Sequence, residues 1–269
     1  MDLAAKDPAL AALLAWYLEA GVDETIGEAP LDRYGEPQPE AAAPTLAGAP
    51  PVEPVVATSS QERRPPVAAA VAAAAAAATL VELRSILAGF DGCALAKTAT
   101  NLVFGDGSAP ARVVLIGEAP GSEEDRRGLP FVGPSGQLLD RMLASIGLLR
   151  ENVFISNTVF WRPPGNRSPS SGEVAVCMPF LERIIELIDP LILVALGGPA
   201  ANALLGRGES IGKLRGRWFT YQTPRLARPI TTTALFHPAY LLRTPGQKRL
   251  AWRDLLALRH KLDDLRGCA

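Results

Sequence analysis

The chain has 269 residues, 48% of them hydrophobic, which is enough for one sizeable core with additional segments. Its formal net charge is −1, but the charges are unevenly distributed. Residues 1–61 contain ten acids and two bases, whereas residues 205–253 contain ten Lys or Arg and one acid, Glu209. The basic stretch suits a polyanionic partner, although a solvated surface gives the same pattern.

Composition also argues against a membrane protein and a disulfide-rich secreted protein. The longest apolar stretch, Val67–Leu80, is rich in Ala and too short to cross a bilayer. The N-terminus lacks the positively charged region of a signal peptide. Three cysteines at scattered positions do not make a disulfide framework. We therefore expect a cytoplasmic protein with reduced thiols and no membrane partner.

The first quarter of the chain differs in composition from the rest. Asp7–Gly27 has apolar residues at helical spacing, which predicts an amphipathic helix that either docks on a partner or packs on the main domain. Residues 28–66 are rich in Pro, Ala and Glu, as in a disordered linker. Val67–Ala88 is predicted to be one helix, since Ala has the highest helix propensity. The predicted parts are thus residues 1–27, 28–66 and 67–269, with the acidic N-terminal region favoured as a solubilising tether over a competitor for the basic surface.

From Cys93 onward, predicted strands alternate with predicted helices. The strands are Arg112–Gly117, Asn152–Asn157, Leu191–Leu196 and Thr231–Phe236. The helices are Gly136–Ile146, Gly172–Ile188, Pro199–Leu205 and Lys248–Leu265. Two of the strands are continuous apolar runs, which is typical of strands buried on both faces. This alternation predicts a three-layer α/β/α sandwich with a central, mainly parallel four-stranded sheet.

Polar residues follow three of these strands, at the sheet edge where ligands bind in such folds. Gly117–Gly121 contains glycines that let a ligand approach the backbone, and Glu118 is placed to face a cleft. Asn157 offers a donor and an acceptor that match a pyrimidine edge. His237 directly follows the fourth strand. A tight acidic loop, a turn-forming Asn and a structural His are the alternatives for the three positions.

Four motifs carry a resemblance to a known family: GEAPG (Gly117–Gly121), LPFVG (Leu129–Gly133), RPPGNR (Arg162–Arg167) and HPAYLLR (His237–Arg243). In this order and spacing they resemble the family 4 uracil-DNA glycosylases, the class that carries an iron–sulfur cluster. The resemblance covers about Leu80–Leu262. It implies a uracil-DNA glycosylase fold and a DNA repair enzyme that flips uracil from single- or double-stranded DNA and hydrolyses its N-glycosidic bond. We expect the enzyme to act as a monomer.

The resemblance implies a uracil pocket. Phe131 would stack on the flipped base and Asn157 would hydrogen-bond its polar edge, while Gly117 and Gly121 would line the pocket. His237 would face the uracil carbonyl on which negative charge develops. Donors aimed at that oxygen would stabilise the transition state.

The resemblance also implies a carboxylate that orients the attacking water and a surface that holds the DNA. Glu118, Glu124 and Asp125 are the candidate carboxylates, and the sequence does not choose among them. The loop after His237 would probe the DNA and fill the space left by the base. The predicted DNA-binding residues are Arg162, Arg167, Leu241, Leu242 and Arg243.

The match breaks at the cluster. In the family four cysteines hold it, and here Cys93 and Cys177 match two of the positions while Phe90 and Trp161 occupy the other two. Two thiolates do not suffice for a cluster that normally has four, and Cys268 at the C-terminus is a poor substitute. We therefore predict an enzyme without an iron–sulfur cluster or other metal, in which the two aromatic rings fill the volume by packing.

Other functions remain open at this point. A glycosylase of the same fold could prefer another deaminated base, although an Asn suits uracil. A DNA-binding module could have kept the fold and lost turnover together with the cluster, although Glu118, Phe131, Asn157 and His237 are all present. A nucleotide hydrolase would need a phosphate loop of the GxxxxGK[ST] type, which the sequence lacks.

Overall fold

The four predicted strands form the centre of the sheet in a computed structural model, which describes residues 66–267. They are β2 (Val113–Gly117), β3 (Phe154–Asn157), β4 (Ile192–Leu196) and β6 (Ile230–Leu235), all parallel. Two short antiparallel strands, β1 (Asp106–Gly107) and β5 (Trp218–Tyr221), add to the edges. The order is β1-β3-β2-β4-β6-β5, so the sheet has six strands rather than the predicted four.

The edge strands escaped prediction because they lack the signal of the central ones. β1 is two residues long and contains a glycine at φ 117°. β5 is only partly buried, and its exposed Trp218 is itself aromatic, so the sequence lacks the polar–apolar alternation of a half-buried strand. The parallel core, the sandwich and the fold class are nevertheless confirmed.

Nine helices accompany the sheet within residues 66–267. They are α1 (Pro66–Ala76), α2 (Leu80–Ala88), α3 (Ser122–Arg127), α4 (Pro134–Ala144), α5 (Ser171–Ile188), α6 (Gly198–Leu205), α7 (Ile211–Leu214), α8 (Pro238–Arg243) and α9 (Lys248–Gly267). None of these helices combines the length and the apolar character that a membrane crossing requires. The predicted N-terminal helix and nearly all of the predicted linker lie outside the described residues.

The stretch predicted as a single helix, Val67–Ala88, is two helices, and that prediction was wrong. The Arg183 guanidinium donates to the carbonyl of Ala77 just after α1 ends. The Thr79 hydroxyl accepts from the backbone N–H of Glu82 at 3.2 Å, and the Glu82 carboxylate accepts from that of Ala78 at 2.8 Å. These side-chain caps stabilise a new helix start where Ala propensity alone predicts continuity.

Alternate residues of β2 point into two separate apolar layers. Val114 and Ile116 face a layer formed with α1, α2, α5 and α6, whereas Val113 and Leu115 face one formed with α4 and α9. Burial on both faces explains why the strand is a continuous apolar run. The order of the parallel strands reverses at β2 and β4, so the fold places a ligand site at the carboxyl ends of these strands.

Candidate active site

Gly117 ends β2, where two predicted site residues approach the backbone closely. It pairs with Asn157 across the sheet. A Cβ atom at Gly117 would lie 2.4 Å from the Asn157 Oδ1 atom and 2.6 Å from the Phe131 ring. Only glycine therefore lets these two side chains approach the end of β2 so closely.

Phe131 brings an aromatic ring to this point from a loop with unusual backbone geometry. Its φ of 51° is in the left-handed region, which is uncommon for a residue with a bulky side chain. The ring is 6% exposed, and its centroid lies 5.5 Å from that of the His237 imidazole, with the planes tilted by 33°. Three segments that are distant in sequence thus meet, since Gly117, Phe131 and His237 all lie at one edge of the sheet.

A cleft of about 190 Å³ opens beside His237. It is lined by Glu118, Ala119, Pro120, Gly121, Pro163, Asn166, Arg167, Ser168 and His237. Three of the predicted site residues, Glu118, Gly121 and His237, therefore line the cleft together with part of the RPPGNR loop. Gly117, Phe131 and Asn157 are not among the residues that line it. Glu118 is the one predicted carboxylate among the lining residues.

His237 caps the first turn of α8, and its Nδ1 atom accepts a hydrogen bond from the backbone N–H of Ala239 at 3.1 Å. Desolvation by burial, followed by the nearby Arg243 charge, lowers the pKa of His237 from 6.5 to about 4. The imidazole is therefore neutral at pH 7. With Nδ1 accepting, the single ring proton is on Nε2, where it can be donated to a ligand.

Gly197, directly after β4, packs closely against His237, and the sequence analysis did not identify it as a site residue. Its φ is 95°, and a Cβ atom there would lie 3.1 Å from the His237 Cβ atom. The signal was available, because a glycine directly after an apolar strand is the same feature that drew attention to Gly117.

The carboxylates of Glu124 and Asp125 accept hydrogen bonds from backbone amides. Glu124 accepts from the amides of Gly121 at 3.2 Å and of Val132 and Gly133 at 2.9 Å each. Asp125 accepts from the amides of two residues in the segment before β1 at 2.8 and 3.0 Å. Both side chains connect loops, and neither lines the cleft.

The predicted DNA-contacting residues divide into exposed and buried ones. Leu242 is 43% exposed, and Arg243 next to it is also exposed, whereas Leu241 is 1% exposed and packs in the core. Arg167 is exposed and forms a two-pronged ion pair with Glu173, at 2.6 and 2.9 Å. In the same loop, Arg162 donates to the side chain of Asn166 at 2.7 Å.

A second region of interest surrounds Cys93 and Cys177. Both thiols are buried, with the two Sγ atoms 4.0 Å apart. The Phe90 ring packs edge-on against Phe180 at 5.1 Å, and the Trp161 ring packs on its neighbour Phe160 at 6.4 Å. Within residues 66–267, no three His, Cys, Asp or Glu side chains lie together as a metal site would require.

Comparisons with known proteins agree with this geometry. Residues 104–256 match the model of the uracil DNA glycosylase superfamily. The chain is 43% identical over 157 residues to the Type-4 uracil-DNA glycosylase of Archaeoglobus fulgidus, covering 57% of this chain and 78% of that protein. It is 43% identical over 166 residues to the Type-4 enzyme of Thermotoga maritima, covering 61% and 84%. It is 38% identical over 180 residues to that of Pyrobaculum aerophilum, covering 65% and 91%.

The family model spans more than half of the chain and contains the whole cleft, from the end of β2 to α8. All three relatives are named Type-4 uracil-DNA glycosylases, and the alignments cover most of the length of each. The chain belongs to the uracil-DNA glycosylase superfamily.

Proposed function

We propose that this chain is a DNA repair enzyme that binds DNA, flips uracil into the site at the end of β2 and hydrolyses its N-glycosidic bond. The observation that carries the proposal is the approach of Asn157 and Phe131 across the bare backbone of Gly117, beside the neutral His237. A base must leave the helix to reach residues that are buried to this degree, at a cost of a few kcal/mol.

Asn157 and Phe131 are proposed to recognise the flipped base. An amide offers one donor and one acceptor, which match a neighbouring carbonyl and N–H of uracil bidentately. Asn157 is only 2% exposed, so a bond formed there is shielded from water. Phe131 supplies an apolar ring on which the base stacks. These contacts favour uracil over the other deaminated bases that this fold could accept.

His237 is proposed to stabilise the departing base. Uracil leaves as an anion, and negative charge on its carbonyl oxygen develops only as the bond breaks. A neutral imidazole that donates through Nε2 stabilises this charge without a proton change, because its pKa of about 4 keeps it neutral at working pH.

Glu118 is proposed to orient the attacking water and to stabilise positive charge on the sugar. It lines the cleft next to His237, whereas the carboxylates of Glu124 and Asp125 already accept backbone hydrogen bonds. We assign the latter two residues to loop support rather than to the reaction.

DNA is proposed to lie across the mouth of the cleft. Leu242 and Arg243 are exposed at the end of α8. Arg162 and Arg167 belong to the RPPGNR loop, part of which lines the cleft. The exposed Leu242, rather than the buried Leu241, would fill the space of the flipped base. The arginines would contact phosphates and position the duplex.

We also propose that the enzyme works without a cluster, as a cytoplasmic monomer whose catalytic domain is residues 67–269. The support for the first point is the chemistry of the side chains, since Phe90 and Trp161 cannot bind iron. Preceding segments 1–27 and 28–66 are then accessory to catalysis.

The function is tested with a 5′-labelled oligonucleotide that carries one uracil, in single-stranded and duplex form, followed by alkaline cleavage. We expect a cut at the uracil position and none in a matched oligonucleotide with thymine. Matched oligonucleotides with hypoxanthine or xanthine test the alternative that the enzyme prefers another deaminated base. Binding of the uracil substrate without any cut would support the non-catalytic DNA-binding module instead.

A further inference from the structure

The loop that carries Phe131 is held in its unusual conformation from two sides. The left-handed φ of 51° at Phe131 is disfavoured for a phenylalanine, so surrounding contacts must maintain it. Gly136 leaves room for the Phe131 carbonyl, since a Cβ atom there would lie 1.7 Å from that oxygen. The contacts that fix the loop therefore also fix the ring that faces His237.

The Arg150 guanidinium binds the backbone carbonyl groups on one side of the loop. Its Nη1 atom donates to the Phe131 carbonyl at 3.1 Å, and its Nη2 atom donates to the Pro130 carbonyl. Nη1 and Nε also reach Asp140 at 3.0 Å and Asp106 at 2.7 Å. The guanidinium thus connects β1, α4 and the Phe131 loop, and its planar fork suits this arrangement better than an ammonium does.

Glu124 holds the other side through the amide groups. It accepts from Val132 and Gly133, the two residues after Phe131, while Arg150 binds the carbonyls of Pro130 and Phe131. Four consecutive residues thus have their backbone bound by one buried carboxylate and one largely buried guanidinium. The side chain of Arg150 is 23% exposed and does not line the cleft.

We propose that Arg150 is a positioning residue for uracil excision, which acts by fixing the backbone of Phe131 so that its ring is ready to receive the flipped base. The proposal rests on the function proposed above. Loss of the guanidinium releases two carbonyls and lets the ring leave its place beside His237. The flipped base then finds no ordered stacking partner, while the DNA-binding arginines stay unchanged.

The test compares Arg150→Met with Arg183→Met as a matched control. Arg183 has a similarly covered side chain (19% exposed) and also donates to a backbone carbonyl, that of Ala77, but on the opposite face of the sheet. We expect Arg150→Met to lower the single-turnover rate of uracil excision by about 10- to 100-fold. Affinity for undamaged DNA should change less than twofold, and Arg183→Met should lose stability but keep its excision rate.

A double-mutant cycle with Phe131→Ala separates positioning from general destabilisation. If Arg150 acts through the ring, Arg150→Met should slow excision strongly in the wild-type background and less than about twofold in the Phe131→Ala background. Arg150→Lys retains the charge near Asp106 and Asp140 without the fork, so it should recover only part of the rate. This variant also provides the test if Arg150→Met does not fold.

Equal rate losses in both backgrounds, or an Arg150→Met rate within twofold of wild type, would overturn the proposal. Wild-type protein that does not cut uracil-containing DNA at all would instead overturn the proposed function. The two failures are therefore distinguishable in one set of assays.

Discussion

The edge of the sheet around Gly117 and the region around Cys93 differ in how they meet the requirements of the family. At the sheet edge, the residues that the resemblance implies are all present. Asn157 and Phe131 lie close to Gly117, and a backbone N–H donates to His237. Around Cys93, two of the four expected cysteines are replaced by Phe90 and Trp161, yet the region is buried and packed. A reaction needs particular atoms at particular positions, whereas we propose that apolar packing replaces the cross-link between segments in the second region.

The largest expected effect comes from Gly117→Ala, which tests the sheet edge. The added Cβ would overlap Asn157 and Phe131 together, and those side chains would have to move. We expect the excision rate to fall by about 100-fold, because small displacements in a catalytic site are that costly. Gly172→Ala is the control, since a Cβ there meets nothing within 4 Å. Comparable rates in both variants would contradict the role of Gly117.

Asn157→Ala should slow excision by a comparable factor. It removes the bidentate contact to the base, which contributes about 1–3 kcal/mol to discrimination by analogy with other base contacts. Uracil excision should fall by about 5- to 150-fold, with binding to undamaged DNA nearly unchanged. Asn152→Ala, an exposed asparagine just before β3, is the control. An Asn157→Ala enzyme as fast as wild type would remove this residue from the site.

The pH dependence should show that His237 works in its neutral form. The pKa of His237 is about 4 in the folded protein, whereas a histidine in the unfolded chain has its ordinary pKa of 6.5. Protonation of His237 therefore favours the unfolded chain. The contribution of His237 to the free energy of unfolding should therefore be full above pH 6.5 and fall as the pH drops toward 4. Excision should not lose rate to His237 titration between pH 8 and 5. A rate that falls with a midpoint near 6.5, and not in His237→Gln, would show that the imidazole titrates normally.

Replacing both Cys93 and Cys177 with Ala should have a smaller effect, confined to stability. On our account they are ordinary buried thiols, and losing such packing costs about 0.5–3 kcal/mol. Thermal unfolding should shift to lower temperature, with excision by the folded protein within about twofold of wild type. Loss of excision activity at a temperature where the variant is still folded would contradict the prediction that this region contributes only to stability.

The parallel core and the strand-end residues could be predicted because both leave local signals. Buried strands are continuous apolar runs, and strand-end glycines follow them directly, as at Gly117. The two edge strands and the break at Thr79 could not be predicted, since they depend on pairing and capping contacts. Arg150 was also missed, because it looks like an ordinary surface residue before β3, and its partners are distant in sequence or bind through the backbone.

The choice among the carboxylates illustrates the same limit. Glu118, Glu124 and Asp125 lie within eight residues of one another, and no sequence pattern separates their roles. Only the fold shows that backbone amides occupy Glu124 and Asp125, while Glu118 lines the cleft. Similarly, Leu241 and Leu242 are identical residue types whose burial the helix orientation decides.

The most direct test of the central claim is to measure iron content and uracil excision on one anaerobically purified sample. The account predicts a colourless protein without stoichiometric iron or sulfide that cuts uracil-containing DNA at full rate, with no change after treatment with a chelator. A brown protein with about four irons per chain, whose removal abolishes excision, would contradict it.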